Sequence, residues 1–295
     1  MKIAILLLCH KNPKQINMLL DTMENEAIEF FIHVDKKADI IDQITHRKDI
    51  HFLPEEKRVS ITWGGWSIIQ AELNLFRFAY NSGGSSYFWL CSGQDLPLKP
   101  VEQIVQFFED NNGFNFVNLF QTSSTNGGKT NKYDKRTSIN FPPAVMGISN
   151  SKRILKRMLV EITGGYNHTF WIFRRKNTTG MKFYFGSQWI CFSQQTLKWV
   201  LQYISKHPEY SEYFRTVNTP DESYFHTLYM NSPFAGERKD YLHYIDWSQG
   251  GNSPKTLTMD DYQKLTESSF LMARKFDINK DKKIIERIID QHERL

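Results

Sequence analysis

The run IAILLLC at 3–9 sets the first limit on what this chain can fold into. Seven apolar residues in succession, ended by His10 and Lys11, show no alternation of apolar and polar positions, so both faces of the segment must be buried. A strand buried on both faces belongs inside a parallel sheet covered by helices, and Pro13 opens a helical stretch (13–23) directly after it. The pattern continues with a strand at 30–34, a helix at 67–80, a strand at 87–91, a proline-opened helix at 100–109 and a strand at 115–120. Strands alternating with helices predict an α/β sheet with crossover connections. Between 121 and 140 the composition shifts to Ser, Thr, Asn, Gly and Lys, which reads as a long surface loop. Helices are predicted beyond it at 152–160, 194–204, 221–230, 260–267 and 280–292, with strand pieces at 183–192 around Gly186. No Pro/Gly/Ser linker divides the 295 residues, so one domain (1–295) with a helical C-terminal portion is expected.

Composition removes several classes. With 22 Phe, 13 Tyr and 7 Trp the chain is too aromatic for a solvated coil. The apolar run at 3–9 falls far short of the roughly 20 residues of a membrane span. A single Lys before it, and no small-residue cleavage site after it, argue against a secretory signal. Cys9, Cys91 and Cys191 show neither metal-ligand spacing nor a disulfide framework, which fits a reducing cytoplasm. A net charge of +5 is too small to argue for nucleic acid, but suits an anionic small substrate or the acidic face of a membrane.

Ligands of open parallel sheets bind beyond the carboxyl ends of the strands. Those loops hold His10-Lys11-Asn12, Asp35-Lys36-Lys37, Ser92-Gly93-Gln94-Asp95 and the polar loop after Phe120. Asp35 is either a hydrogen-bond acceptor for a ribose or base, or a turn residue. His33 and Asp35 could begin a metal site, yet no third and fourth ligand accompany them. Gly93 either lets a ligand approach the backbone or closes an ordinary turn before Pro97. Neither GxxxxGK[ST] nor GxGxxG occurs. The segment Trp63-Gly64-Gly65-Trp66-Ser67 offers aromatic surface for a sugar or base, with Ser67 placed to cap the next helix; the alternative is a core-packed turn. Thr219-Pro220-Asp221-Glu222 has the spacing of a capping box, on which account Glu222 folds back onto the Thr219 amide; alternatively Glu222 is a general base. Arg274-Lys275 is either a solvated basic patch or a pair of cations for a diphosphate leaving group.

Taken in order, HVDKK (33–37), TWGGWS (62–67), LCSGQDLPLK (90–99), GSQW (186–189), PDESYFHT (220–227), YIDWS (244–248), SPKTLT (253–258) and ARKFD (273–277) resemble glycosyltransferase family 14, which includes the core-2/I-branching N-acetylglucosaminyltransferases and the peptide O-xylosyltransferases. The resemblance runs from Ile3 to about Asp277 and is weakest around 121–140. It implies a GT-A type nucleotide-sugar fold, with a mixed central sheet flanked by helices, and an inverting, metal-independent transfer from a UDP-sugar. Glu222 then matches the catalytic base, Lys275 (with Arg274) the cation that neutralises the diphosphate, and Asp35, near His10, a uridine contact. Ser92, Gln94 and Asp95 stand where many GT-A enzymes carry a metal-binding Asp-X-Asp, which is absent here. His243 stands near the position of an arginine that holds the diphosphate in the branching enzymes, and Gln188 at an aspartate that touches the donor sugar in the xylosyltransferases. The disulfides and membrane anchor of the animal enzymes have no counterpart, which suggests a trimmed bacterial relative.

The expectation is a cytoplasmic glycosyltransferase, working at the inner face of the membrane, that moves GlcNAc from UDP to a hydroxyl of a glycan or lipid-linked glycan in surface polysaccharide synthesis. No cofactor beyond the UDP-sugar co-substrate, no metal and no nucleic acid are expected. Trp63 and Trp189 are candidate walls of the sugar site, and Arg136 with neighbouring loop residues the acceptor side. The rivals are a UDP-xylose or UDP-hexose dependent relative and a non-catalytic carbohydrate-binding protein.

Overall fold

The computed structural model describes residues 1–122, 132–140, 142–145, 149–251 and 253–292. Its strands are β1 (Ile3–Cys9), β2 (Ile28–Val34), β3 (Ile50–Phe52), β4 (Tyr87–Ser92), β5 (Asp95–Pro97), β6 (Asn115–Phe116), β7 (Gln121–Thr122), β8 (Tyr184–Phe185), β9 (Cys191–Ser193), β10 (Arg238–Lys239), β11 (His243–Ile245) and β12 (Met272–Arg274). The helices are α1 (Pro13–Thr22), α2 (Trp66–Ser82), α3 (Val101–Asp110), α4 (Lys132–Ser138), α5 (Asn150–Ile162), α6 (Tyr166–Ile172), α7 (Gln194–Lys206), α8 (Pro208–Phe214), α9 (Tyr224–Met230), α10 (Tyr262–Thr266) and α11 (Lys282–His292).

A seven-stranded sheet in the order β10-β6-β9-β4-β1-β2-β3 forms the centre. Strands β3, β2, β1 and β4 run parallel, while β9 is antiparallel to both β4 and β6, so the sheet is mixed, as the resemblance implied. The uninterrupted apolar sequence of β1 is explained by its position. Ala4, Leu6 and Leu8 enter a core with α2, α7, α8 and α9, whereas Ile3, Ile5, Leu7 and Cys9 enter a second core with α1 and α3. A third core joins Leu96 and Ala273 of the small sheet β11-β12-β5 to Ile284, Ile285 and Ile288 of α11.

Most predicted helices are present within a few residues, but three expectations need correction. The strand predicted at 115–120 ends at Phe116, and Gln121–Thr122 pairs separately with β8. The predicted loop 121–140 contains β7 and α4, and its residues 123–131 lie outside the described ones. The helix predicted at 221–230 is a 3-10 turn, Pro220–Glu222, followed by α9.

Candidate functional site

The chain runs from β1 outward to β2 and β3, then returns to place β4 on the other side of β1. The carboxyl ends of β1 and β4 therefore flank a topological switch point, where α/β sheets collect ligands. His10 and Lys11 follow β1 there, and Ser92 ends β4. Lys275 interacts electrostatically with His10 and Lys11, and Asp35 and Lys37 also act on His10. Desolvation, then Lys11, lowers the His10 pKa, with Lys275 and Lys37 adding to it and Asp35 opposing. Lys275 is lowered likewise by desolvation, then by Lys11 and Arg274. The cations that act on Lys275 in this way leave it a group that an anion such as a diphosphate would favour in its charged form.

Not every predicted donor residue is available to a ligand. The Asp35 carboxylate accepts the Lys37 N–H (2.9 Å) and the Ile61 N–H (3.2 Å), holding the loop after β2 against the segment before α2. Asp95 accepts both the N–H (2.8 Å) and the hydroxyl (2.7 Å) of Ser92. The Gln94 amide donates to the Phe276 carbonyl (3.2 Å), and the Phe276 N–H returns a bond to the Gln94 carbonyl (2.8 Å). Gly93 packs on α1 rather than lying open to a ligand: a Cβ there would sit 2.8 Å from Ile16. Through Phe276, Gln94 fixes the loop that carries Lys275.

Beneath Lys275 lies a buried polar cluster. The Arg274 guanidinium lies 3.7 Å over the Trp189 ring and its Nε is 3.6 Å from Asp95. His243 is fully buried between Trp89 and Trp189, with Nε2 3.4 Å from Asp95. Burial would raise the Asp95 pKa, but Arg274, His243 and Ser92 hold it below the usual carboxylate value. Burial lowers His243 despite Asp95. Of the two residues weighed for the place of the diphosphate-binding arginine, His243 or Arg274, His243 has no exposed surface and lies against Asp95 from within. Trp189 is likewise buried, leaving Trp63, 40% exposed, as the predicted sugar wall that solvent reaches.

Among the described residues, Cys91, Asp95 and His243 bring a thiol, a carboxylate and an imidazole within 4.8 Å of one another. Their chemistry fits a metal poorly. Burial pushes the Cys91 thiol well above its ordinary value, and Arg274 already neutralises the one carboxylate.

Glu222 closes the Pro220–Glu222 turn, and the capping box predicted there is absent. Thr219 adopts a left-handed conformation (φ 58°), its side chain makes no cap, and its N–H donates to the Gly64 carbonyl (2.9 Å). The Glu222 carboxylate instead ion-pairs with Arg136 of α4. Arg136, expected on the acceptor side, thus reaches the candidate base itself. Ser67 is no cap either: it sits inside the first turn of α2 and its hydroxyl accepts the Thr62 N–H (2.7 Å).

The GSQW segment joins the two regions. The Gly186 N–H donates to the Glu222 carbonyl (2.9 Å), and the His226 imidazole bonds the Ser187 carbonyl (2.9 Å). Gln188 donates to Glu72 Oε1 (2.6 Å), and Trp189 carries Arg274. Gly186 permits this approach, since a Cβ would fall 1.8 Å from the Asn118 carbonyl oxygen. One short segment therefore sets Glu222 relative to the cations at the switch point.

A family model described as Core-2/I-Branching enzyme matches residues 3–271. The chain belongs to that family. It is a glycosyltransferase family, and the matched residues include Glu222 and the loops after β1 and β4 but end before Arg274 and Lys275. Xylosyltransferase 2 of Rattus norvegicus is 23% identical over 321 residues, covering 99% of this chain and 33% of the relative. Xylosyltransferase oxt of Drosophila pseudoobscura pseudoobscura is 26% identical over 296 residues, covering 90% and 30%. The chain spans about a third of the length of these curated relatives. Among solved structures, mouse Xyloside xylosyltransferase 1 in its apo form is similar at 11% identity and a TM-score of 0.37, over 92% of this chain and 97% of that one.

Within this family domain, sequence reasoning missed Glu72 and Asp221. Glu72 shares the buried stripe of α2 with Ile68, Ile69, Leu75 and Phe76, and an acid at such a position was a readable signal. Burial, then Asp221, raises its pKa well above normal. Asp221 is raised to about 7 by burial, then by Glu222.

Proposed function

We propose that this domain transfers a sugar from a UDP-sugar to a hydroxyl of a glycan or lipid-linked glycan, with inversion and without a metal. The observation that carries the reading is the GSQW segment, which ties the backbone of Glu222 to the Trp189–Arg274 stack directly before Lys275. His10 lies toward the uridine, beside the loop that Asp35 shapes, and Lys275, assisted by Lys11, holds the diphosphate. The acceptor oxygen attacks the anomeric carbon while its proton passes to Glu222, and the bond to the diphosphate oxygen breaks on the opposite face. Lys275 then meets charge that grows as UDP departs, so its contribution is larger in the transition state than in the ground state. Arg136 must yield Glu222 to the acceptor hydroxyl, which makes acceptor binding the step that frees the base.

GlcNAc is the donor sugar we favour, and polysaccharide synthesis on the cytoplasmic face of the membrane is the setting. Gln188 supports this choice. In the position where the resemblance puts the xylosyltransferases' aspartate, its amide donates to buried Glu72, a bond that an aspartate carboxylate could not donate. The names of the curated relatives favour xylose as the second reading.

A panel of UDP-GlcNAc, UDP-xylose and UDP-hexoses, each with and without EDTA, tests the proposal by slow hydrolysis and by thermal stabilisation. Hydrolysis of UDP-GlcNAc in EDTA is expected. Loss on chelation, restored by manganese, would refute the metal-free mechanism, and no stabilisation by any UDP compound would leave a carbohydrate-binding protein.

A further inference from the structure

The region from 149 to 176 is unlike the rest of the surface. Helix α5 has no buried residue, and exposes Ile154, Leu155, Met158 and Ile162 along one side. Trp171 and Ile172, at the end of α6, are also exposed. Ile162, Trp171 and Ile172 are 79%, 70% and 62% accessible, among the highest values of large apolar side chains of the described residues. Such a cluster of apolar side chains on adjoining helices marks an interaction surface rather than scattered surface apolarity.

The charge of the same segment identifies the occupant. Residues 149–176 contain seven Lys or Arg (Lys152, Arg153, Lys156, Arg157, Arg174, Arg175, Lys176) and one acid, Glu161. The remaining chain has thirty basic and thirty-one acidic residues, so the whole positive excess resides here. Arg175 is engaged with Thr137, Tyr213 and Thr216, but Arg153, Arg174 and Lys176 are exposed around the apolar side chains. Two copies meeting through this face would bring like charges together. An anionic surface that accepts apolar side chains suits it, and no helix of the described residues is long and apolar enough to cross a membrane. A helix with apolar residues on one side, Lys and Arg beside them and a tryptophan nearby lies in the headgroup layer of a bilayer.

We infer that α5 and α6 dock this protein onto an anionic lipid bilayer, with Ile162, Trp171 and Ile172 inserted and the surrounding Lys and Arg on the headgroups. The docking surface sits beside Glu222. Lys135 of α4 bonds Asn167 of α6 (2.9 Å), the Arg175 N–H bonds the Ser138 carbonyl (3.0 Å), and Arg136 between them pairs with Glu222. Docking would therefore present the Glu222 side to an acceptor held at the lipid surface. That orientation rests on the function proposed above, whereas the docking itself does not.

The test is sedimentation of the full chain with vesicles of phosphatidylcholine alone, or of phosphatidylcholine and phosphatidylglycerol in equal parts, and needs no turnover. Binding to the anionic vesicles only, weakening as salt is raised, is expected. The variant Ile162→Glu with Trp171→Glu should lose at least about tenfold in affinity at an unchanged melting temperature, because both side chains are exposed and only insertion uses them. Arg153→Gln with Lys176→Gln should bind less tightly at low salt and show a shallower salt dependence. Equal sedimentation with both vesicle types, or full binding by the Ile162→Glu, Trp171→Glu variant, would overturn the inference. So would wild-type self-association abolished by that variant without vesicle binding, which would make the face a contact between copies.

Discussion

Two regions meet at GSQW and are built on different terms. On the donor side, the polar residues stand at the ends of strands buried on both faces, and Asp35, Ser92, Gln94 and Asp95 bind their own backbone or one another. On the other side, α4 to α6 rest on a small cluster of Ile139, Val145 and Phe170, and α5 buries nothing. The sheet thus holds the nucleotide side stiffly, through bonds that do not depend on which sugar is carried. The helical side keeps apolar residues on the surface, and among the described residues it reaches Glu222 through the Arg136 ion pair. Under the function proposed above, the first region would take the nucleotide and the second the acceptor, with Glu222 between them.

The sharpest test of that division is Glu222→Gln, since Glu222 lies on the boundary. Turnover should fall at least about a hundredfold, the ordinary worth of a general base, with UDP binding retained. Stability should hardly change, because the structure gives Glu222 no capping role. Near-normal turnover in a folded variant would end the assignment of the base. Smaller effects should separate the two cations on the donor side. Lys275→Ala should slow transfer about tenfold or more, with a lesser loss of UDP affinity, because the diphosphate gains charge as the bond breaks. Arg274→Ala should instead lower stability by about 3–5 kcal/mol, because it leaves Asp95 buried without its cation. Unchanged turnover and UDP affinity in Lys275→Ala would show that another group holds the diphosphate.

The same contrast governs what could be read before folding. Strand β1 was legible because burial on both faces leaves no polar position in it, and α2, α3 and α7 because one face of each is apolar. Strands β5, β11 and β12 were not, for three residues carry no periodicity and their partners lie far along the chain, as Asp95 does from Arg274. The switch-point loops were found from strand ends alone, but not which of their side chains would be consumed internally. Thr219 to Glu222 satisfied a local rule that distant residues overrode, since Gly64 takes the Thr219 N–H and Arg136 takes the carboxylate. The burial of His243 depends on two tryptophans from other strands and loops, and no local pattern reports it.

A further expected effect, on stability alone, concerns the acid next to Glu222. Asp221 is buried, its Oδ1 has no hydrogen-bond partner among the described residues, and burial, then Glu222, raises its pKa from 3.8 to about 7. In the unfolded chain the group releases its proton near pH 4, whereas the folded protein keeps it until about pH 7. Between those values the native state binds more protons, so stability falls as pH rises through the window, by at most about 1.4 kcal/mol per pH unit. Asp221→Asn removes the titration while keeping the shape. Its melting temperature relative to wild type should therefore increase from pH 5 to pH 8, and stop increasing above about pH 7. Glu72, which Asp221 also raises, is present in both proteins and loses only that neighbour's contribution in the variant. A difference that stays flat from pH 5 to pH 8 would show that Asp221 is ionised throughout. The second region would then hold its negative charge as an open carboxylate pair beside Arg136, and the contrast with the neutralised Asp95 would rest on packing alone.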